Sequence, residues 1–294
     1  EVFLKIEKVA PTDANVLLLG ENGTGKDLVA KALHLRSLRA KKPFIKIDVG
    51  AITDTLFESE LFGHKKGAFT DAREDRIGQI ESANSGTLFL DEIGNIHLPQ
   101  QAKLLTVLQN RQVTRLGTNA PIPVDIRLIS ATNLDFTELA DEKRFRKDLV
   151  YRINTVEINI PPLRKRGDDI ILLAKHFAKM YAQKYMKPAL ILEESAIDKL
   201  MNYHFPGNVR ELQYTIERAI IMKENNKLTA EDLIFSLIEK GQQKAESESV
   251  SELSTLEKNT ILRVIEKNKG NITKAAKELG ITRTALYRRL NKYD

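Results

Sequence analysis

The sequence contains no cysteine, which excludes disulfide bonds and thiolate metal sites and fits a reducing compartment. It has no run of about 18 apolar residues, so a membrane-spanning helix is not expected. The opening stretch EVFLKIEKVAP lacks both the apolar core of a signal peptide and a starting methionine. We therefore expect a cytoplasmic protein without a membrane partner, of which this chain is a fragment.

The net charge of +6 is concentrated at the C-terminal end. Residues 253–294 contain ten Lys and Arg against four Asp and Glu, and this excess equals the net charge of all 294 residues. A neutral body with a basic tail predicts a nucleic-acid partner for the tail. A basic end that binds nothing is the alternative, and charge alone does not decide between them.

Five short apolar runs in the first part of the chain predict buried strands, and helical patterns separate them. This alternation indicates an α/β fold with a parallel sheet and helices on both faces. The predicted strands are NVLLLG (15–20), PFIKIDV (43–49), GTLFLDE (86–92), IRLISATN (126–133) and VEINIP (156–161).

Apolar residues recur at helical spacing after IPPLRKRGDD (160–169), which predicts an α-helical subdomain. The polar stretch GQQKAESESVSE is a linker by composition. The predicted organisation is an α/β subdomain at 1–161, a helical subdomain at 162–240, a linker at 241–252 and a small helical domain at 253–294. The helical positions are Ile170, Leu173, Phe177 and Met180, then Ile197, Leu200 and Met201, then Val209, Leu212, Ile216 and Ile220.

The stretch GENGTGKD (20–27) follows the first predicted strand and precedes a helical pattern, as a phosphate-binding P-loop requires. Its glycines let backbone N–H groups turn toward phosphate, and the helix N-terminus adds its positive end. Lys26 is expected to neutralise the β- and γ-phosphates of ATP. Asp27 stands where Ser or Thr usually binds Mg²⁺, so it stays a candidate ligand of the metal. The predicted ATP-binding residues here are Gly20, Glu21, Asn22, Gly23, Thr24, Gly25, Lys26 and Asp27.

An acidic pair ends the third predicted strand, in TLFLDE (87–92). Asp91 would face Mg²⁺ at the carboxyl edge of the sheet, where α/β proteins bind ligands. Glu92 is placed to orient or deprotonate a water molecule. A surface acidic pair is the alternative, and the P-loop upstream argues against it.

Phosphoryl transfer also needs positive charge against the γ-phosphate. RFRKDLVYRIN (144–154) offers Arg144, Arg146 and Arg152, although most arginine clusters are solvated faces. Asn133, at the end of a predicted strand, is a candidate either to sense the γ-phosphate or to hold a water molecule. Arg210, at the start of a predicted helix, is expected to fold back onto the nucleotide.

Together these motifs resemble an AAA+ ATPase, and ESELFGHKKGAFTDA narrows the resemblance to sigma-54-dependent, NtrC-like transcription activators. GTLFLDEIG, ATN, FRKDLVYRIN, PPLRKR and FPGNVREL also fit that family, so the resemblance covers essentially the whole chain. It implies ATP and Mg²⁺ as ligands, an α-helical lid at 162–240, and assembly from dimer to hexameric ring. In such a ring Arg146 and Arg152 reach the ATP of a neighbouring subunit. An acidic residue at position 27 is usual in the family.

The resemblance also implies that the loop at 67–72 is raised by ATP and touches sigma-54. The implied contact residues are Gly67, Ala68, Phe69, Thr70, Asp71 and Ala72. An aromatic loop tip buries much area for each side chain that it immobilises, and glycines let a loop move. The alternative is that Phe69 folds back onto its own domain.

Two residues depart from the family pattern. Asp71 replaces the second glycine of GAFTGA, which restricts the backbone and adds negative charge at the contact. Asp48 stands where the family usually has the asparagine that links the loop to the catalytic glutamate, so we expect it to repel Glu92. The segment that precedes the first strand and contacts adenine is expected to be truncated, and the N-terminal regulatory domain of a two-component regulator or similar protein to be missing.

The C-terminal stretch NITKAAKELGITRTALYRRLNKY (271–293) predicts two helices around Gly280 and resembles a Fis-type helix-turn-helix. A generic helical hairpin is the alternative, but it does not explain why the net charge lies here. A preceding helix around Leu256–Ile265 is expected to dimerise the unit. The predicted contacts with double-stranded DNA are Thr282, Arg283, Thr284, Tyr287, Arg288 and Asn291.

Three functions compete. The first is an ATPase that binds upstream DNA and remodels sigma-54 RNA polymerase from a closed to an open promoter complex. The second is a DNA-binding regulator, a repressor or sigma-70 effector, for which ATP is only an assembly ligand; Asp71 and Asp48 favour it. The third is another AAA+ motor such as a helicase loader, against which the GAFT loop argues.

Overall fold

A computed structural model describes residues 2–188, 190–223 and 225–235, and the single residues 268, 272, 274, 276, 285 and 286. Residues Glu1–Ile234 form one compact unit and Phe235–Asp294 form a second. The strands described are β1 (Val16–Leu19), β2 (Phe44–Asp48), β3 (Gly63–His64), β4 (Arg76–Ile77), β5 (Thr87–Asp91), β6 (Gln112–Thr114), β7 (Pro121–Pro123), β8 (Arg127–Thr132), β9 (Val156–Asn159), β10 (Ile191–Leu192) and β11 (Lys227–Leu228). The α-helices described are α1 (Val2–Val9), α2 (Lys26–Leu35), α3 (Asp54–Phe62), α4 (Gln79–Ser82), α5 (Leu98–Asn110), α6 (Phe136–Leu139), α7 (Lys147–Ile153), α8 (Asp169–Lys184), α9 (Glu194–Met201) and α10 (Asn208–Met222).

The five predicted strands form one parallel sheet in the order β2-β5-β8-β1-β9. Every residue of β1 and β8 is buried, whereas β2 and β9 at the two edges are only partly covered. The continuous apolar runs therefore belong to strands that are covered on both faces, as a parallel sheet requires. The predicted α/β fold is confirmed.

Alternate residues of the central strands pack into two separate apolar clusters. Leu17 and Leu19 of β1 lie in one cluster, and Val16 and Leu18 lie in the other. Helices α3, α5 and α7 contribute buried side chains to the first cluster, and α1 and α2 contribute to the second. Helices therefore cover both faces of the sheet. Because successive side chains of a strand point to opposite faces, each central strand contributes apolar groups to both clusters.

The carboxyl ends of the three central strands lie at one edge of the sheet. In the register of the sheet, Leu19 is opposite Thr132, and Asp48 is opposite Asp91. The residues that follow β1, β5 and β8 are consequently delivered to one crevice, the usual ligand site of such sheets.

Two antiparallel hairpins extend from the α/β core. Strands β3 and β4 carry the loop at 65–75, and β6 pairs with β7. The Lys65 N–H donates to the Leu116 carbonyl (2.9 Å), which ties the loop to the segment between β6 and β7. Within the loop, the Gly67 N–H donates to the Ala72 carbonyl (2.8 Å), so the loop closes on itself.

The chain after β9 is helical, as predicted, with α8, α9, α10 and the short parallel pair β10–β11. Ile170 and Phe177 of α8, and Leu212 and Ile216 of α10, are buried. Met180 and Met201 share their helical spacing but lie at the exposed rim of the subdomain. None of the described helices is long and apolar enough to cross a membrane.

Few residues of the C-terminal unit are described. Residues 272, 274 and 276 are helical, as are 285 and 286, and the side chains of Ala276 and Leu286 are buried. The predicted linker at 241–252 lies outside the described residues, as does the predicted dimerising helix around Leu256–Ile265. The three predicted domain boundaries stay predictions.

Candidate active site

The P-loop has the strand–loop–helix context that its sequence predicts. β1 ends at Leu19 and α2 begins at Lys26. Gly23 (φ +77°) and Gly25 (φ +96°) adopt left-handed backbone conformations that favour glycine. These two glycines shape the turn that leads into the N-terminus of α2, where unpaired N–H groups and the helix dipole favour an anion.

Lys26 is buried, with 8% of its surface exposed, and its ammonium lies inside the loop. Its Nζ donates to the carbonyls of Gly20 (2.8 Å) and Glu21 (3.1 Å). Burial lowers the pKa of Lys26, and the nearby carboxylates of Asp91 and Glu92 oppose that shift. A phosphate would offer this partly desolvated cation a stronger partner than the loop carbonyls.

The two acids at the carboxyl end of β5 have different surroundings. The Asp91 Oδ2 lies 3.2 Å from Lys46 Nζ, which reaches across from β2. Glu92 has a left-handed backbone (φ 56°), and its Oε2 accepts a hydrogen bond from Asn95 Nδ2 (3.0 Å). Neither Lys46 nor Asn95 was predicted from the sequence, because each is a common polar residue outside any motif.

One cavity of about 360 Å³ joins these segments. Its lining includes the P-loop, the start of α2, Lys46, the acidic pair and the first turns of α10. The lining residues are Asn22, Gly23, Gly25, Lys26, Asp27, Leu28, Lys46, Asp91, Glu92, Val209, Arg210, Gln213 and Tyr214. The structure thus brings Arg210 to the P-loop, although 184 positions separate it from Lys26. Its contact with the nucleotide stays a prediction.

The other P-loop residues predicted to bind ATP lie in the loop without lining the cavity. The Thr24 hydroxyl donates to the Glu21 carbonyl (2.8 Å), which braces the turn. Gly20 and Glu21 supply the carbonyls that hold Lys26. These three residues therefore maintain the shape of the loop in this conformation.

Helical-subdomain residues clamp the P-loop from outside. Arg164 Nη1 donates to Glu21 Oε2 (2.8 Å), and Asn208 Nδ2 donates to the same oxygen (3.0 Å). Arg166 Nη2 donates to the Thr24 carbonyl (2.7 Å). The Arg164 hydrogen bond, followed by that of Asn208, holds the pKa of Glu21 below its usual value despite partial burial. The motif PPLRKR contains both arginines, but nothing in the sequence alone indicated this contact.

Three predicted catalytic residues lie outside the described cavity lining. Asn133 directly follows β8 and is exposed. Arg146 pairs with Asp148 through two hydrogen bonds (3.0 and 2.6 Å). Arg152 donates to the Leu108 carbonyl in the last turn of α5 (2.6 Å), a position where a cation is favourable. Arg144 pairs with Glu138 (2.9 Å).

The residues present fit a magnesium–nucleotide ligand. Among the described residues, no group of three or more His, Cys, Asp or Glu side chains could hold a metal by itself. Magnesium is usually held by one or two carboxylates together with phosphate oxygens. Asp91 and Asp27 both line the cavity beside Lys26, so two carboxylates and a phosphate-binding cation face one space.

The 67–72 loop presents some of its predicted contact residues and covers others. Phe69 is 41% exposed, and its ring packs edge-on against His64, with centroids 4.9 Å apart. Thr70 and Asp71 are exposed, and Asp71 does not have a positive φ, so its backbone is unstrained here. Ala72 is 4% exposed, because the backbone hydrogen bond from Gly67 N–H to the Ala72 carbonyl closes the loop around it.

The predicted DNA contacts lie outside the described residues. They are Thr282, Arg283, Thr284, Tyr287, Arg288 and Asn291. Their roles stay predictions.

Comparison with protein families covers nearly the whole chain. Residues 1–159 match the sigma-54 interaction domain, and residues 164–250 match the AAA+ ATPase lid domain. Residues 252–293 match the Fis family of bacterial regulatory proteins.

Individual proteins agree with these matches. The transcriptional regulatory protein ZraR of Escherichia coli K12 is 43% identical over 288 residues, which cover 98% of this chain and 65% of ZraR. The regulatory protein AtoC of the same strain is 44% identical over 294 residues, covering 97% of this chain and 64% of AtoC. The crystal structure of NtrX from Brucella abortus in complex with ATP superposes with a TM-score of 0.74 at 31% identity, covering 99% of this chain and 66% of that one. The chain thus spans about two thirds of the length of these relatives.

Proposed function

The chain belongs to the family of sigma-54-interacting AAA+ transcription activators, and from this we propose that it hydrolyses ATP to remodel sigma-54 RNA polymerase. In this proposal the protein binds double-stranded DNA upstream of a promoter and converts the closed complex to the open one. The observation that carries it is the cavity where Lys26, Asp91, Glu92 and Arg210 meet.

The cavity residues divide the chemistry between them. Lys26 binds the β- and γ-phosphates, and Arg210 approaches them from the helical subdomain. Glu92 orients and deprotonates the attacking water. Asp91, with Asp27, would hold Mg²⁺, which supplies charge neutralisation at the phosphates when it is bound. The structure of the related protein NtrX in complex with ATP supports ATP as the ligand.

A ring of subunits supplies the remaining positive charge. Arg146 and Arg152 do not line the cavity of their own chain in the part that is described, which fits a role at the nucleotide of a neighbour. Arg146 pairs with the Asp148 carboxylate through two solvent-exposed hydrogen bonds, and Arg152 donates to the neutral Leu108 carbonyl. A solvent-exposed ion pair contributes little to stability, so its exchange for a phosphate costs little. Asn133, at the carboxyl end of β8, senses the γ-phosphate from the sheet edge.

The 67–72 loop is the proposed contact with sigma-54. Its exposed members Gly67, Phe69, Thr70 and Asp71 offer an aromatic group within a polar rim. The Phe69 ring already rests on His64, so release from His64 precedes a fuller contact. The Fis-type C-terminal region binds the upstream DNA through the basic residues predicted above.

A second candidate is a DNA-binding regulator that binds ATP without remodelling sigma-54. The observation that favours it is that the carboxylates of Asp48 and Glu92 both lie beside Gly50. Asp71 at the sigma-54 loop adds a second departure from the family pattern.

The test is whether the chain, with ATP, opens closed complexes of sigma-54 polymerase on a promoter with an upstream site. We expect opening by the parent and by Asp71→Gly, and none by Glu92→Gln. If only Asp71→Gly opens the promoter, the second candidate replaces the first for the natural sequence. If neither opens it while ATP is still hydrolysed, remodelling of sigma-54 is rejected.

A further inference from the structure

The exposed side of the acidic pair contains a small polar cluster that the proposed chemistry does not assign. It consists of Asp48, Gly50, Glu92 and Asn95. Asp48 ends β2 opposite Asp91 in the sheet, and Asn95 ends the short 3₁₀ turn Ile93–Asn95 that follows Glu92. The carboxylates of Asp48 and Glu92 both approach the space beside Gly50.

Distances around Gly50 locate the cluster. A β-carbon at this position would lie 2.4 Å from Glu92 Oε2, 2.8 Å from Asn95 Nδ2 and 3.5 Å from Asp48 Oδ1. The two carboxylate oxygens are therefore separated by at most the sum of 2.4 and 3.5 Å. The same distances show that a side chain at position 50 would displace the Glu92–Asn95 pair. Glycine at this position leaves space for the pair.

An ionised aspartate cannot hold Glu92. A carboxylate offers only acceptors, and a second carboxylate at this distance repels the first. The donor to Glu92 is instead the Asn95 amide, at 3.0 Å from Oε2. A hydrogen bond to an ionised acceptor is roughly twice as strong as one between neutral groups.

We propose that Asn95 is the positioning residue of Glu92, and that its amide fixes the carboxylate against repulsion from Asp48. The inference rests on the proposed function, since it assigns Glu92 the attacking water. Asn95 does not line the described cavity, so it acts through Glu92 and not on the nucleotide. In this chain the amide that positions Glu92 belongs to Asn95, in the turn after β5. At the end of β2, where the family usually has an asparagine, this chain has the carboxylate of Asp48.

The first test replaces Asn95 by alanine in the whole chain. Asn95→Ala is expected to lower kcat for ATP hydrolysis about tenfold, because one hydrogen bond to a charged group is lost. The affinity for a fluorescent ADP analogue is expected to stay within about twofold, since the P-loop contacts are untouched. Asn110→Ala, at an exposed asparagine that ends α5, is the matched control and is expected to leave both quantities unchanged.

The second test separates positioning from a structural role of the turn. Asp48→Asn added to Asn95→Ala restores an amide beside Glu92 from the opposite strand, and we expect kcat to return to within about threefold of the parent. A turn damaged by the alanine would not be repaired from β2. The backbone hydrogen bonds of the turn, Asn95 N–H to the Glu92 carbonyl (3.0 Å) among them, are available to alanine as well.

The outcomes are distinct. Parent-like kcat in Asn95→Ala, or a loss that Asp48→Asn does not rescue, overturns the positioning role and leaves the proposed function intact. Parent-like hydrolysis by Glu92→Gln overturns the catalytic assignment of Glu92, and the inference about Asn95 falls with it. Loss in Asn95→Ala with rescue by Asp48→Asn establishes the role.

Discussion

At the scale of single residues, the Glu21 carboxylate connects the phosphate-binding loop to the helical subdomain. It accepts hydrogen bonds from Arg164 and Asn208, while its own backbone carbonyl helps to hold Lys26. A change of charge at Glu21 therefore acts on the loop and on the subdomain together. The pair is partly exposed, with 41% of the Glu21 side chain accessible, so solvent screening keeps its energy modest.

The lowered pKa of Glu21 predicts a pH-dependent contribution to stability. Its folded pKa lies below its unfolded value of about 4.3, so the contribution is complete above that pH and is lost as pH falls through the folded pKa. Glu21→Gln is expected to lower the free energy of unfolding by about 1 kcal/mol at pH 7. This difference from the parent should shrink as the pH falls from 6 to 3.

Denaturant unfolding of the two proteins across that pH range measures the difference. The Arg164→Gln background is the control, because without the guanidinium Glu21→Gln should change little at any pH. A difference that stays constant with pH would show that the glutamate contributes packing and not charge.

At the scale of elements, the P-loop and the start of α10 are in backbone contact. The Val209 N–H donates to the Gly23 carbonyl (3.0 Å), and a β-carbon on Gly23 would lie 2.3 Å from the Gly207 carbonyl oxygen. The absence of a side chain at position 23 thus allows α10 to bring Arg210 to the cavity. Gly23 belongs to the phosphate-binding motif, and its lack of a side chain also allows the two subdomains to pack together.

This contact predicts unequal costs for two glycine substitutions in the same loop. Gly23→Ala combines left-handed strain with a backbone clash, and we expect a loss of about 2–4 kcal/mol in the free energy of unfolding. Gly25→Ala has similar strain (φ +96°), but its nearest neighbour is Leu28 Cδ1 at 3.9 Å, so about 1–2 kcal/mol is expected.

Thermal or denaturant unfolding of both variants provides the comparison. Gly67→Ala is a control outside the cavity, with φ +82° and no atom within 4 Å of the added carbon. Equal losses for positions 23 and 25 would mean that the P-loop and α10 separate without cost.

At the scale of the whole molecule, the chain divides into a unit at Glu1–Ile234 and a unit at Phe235–Asp294. The described cavity lies entirely in the first unit, and the excess positive charge lies in residues 253–294. Chemistry at the nucleotide and attachment to DNA are therefore assigned to separate parts of the chain.

Removal of residues 253–294 is expected to abolish DNA binding and to leave nucleotide affinity within about threefold. The tail carries the cations that would neutralise DNA phosphates, and binding by the parent should weaken steeply as salt is raised. Fluorescence titrations with labelled DNA and with an ADP analogue measure the two affinities. Arg288→Ala in the full chain is the milder companion variant, and a truncated chain that still binds DNA would contradict the assignment.

The five strands of the sheet, the P-loop and the acidic pair were predictable from the sequence alone. Strand, loop and helix signals are local. The P-loop can therefore be identified from neighbouring residues alone, namely the apolar strand Val16–Leu19, the glycines after it and Lys26. Arg146 and Asn133 could be named from the motifs, but the groups that they contact could not be derived from spacing.

Which residues contact the P-loop and the acidic pair depends on the folded structure. Arg164 and Asn208 reach Glu21 from 143 and 187 positions away, and Lys46 reaches Asp91 from the neighbouring strand. The repulsion of Glu92 by Asp48 stays a prediction, and the structure adds a hydrogen bond from the Asn95 amide to Glu92 Oε2. The contacts of Arg164, Asn208 and Lys46 depend on chain crossings and side-chain directions, and local sequence patterns do not encode either of these.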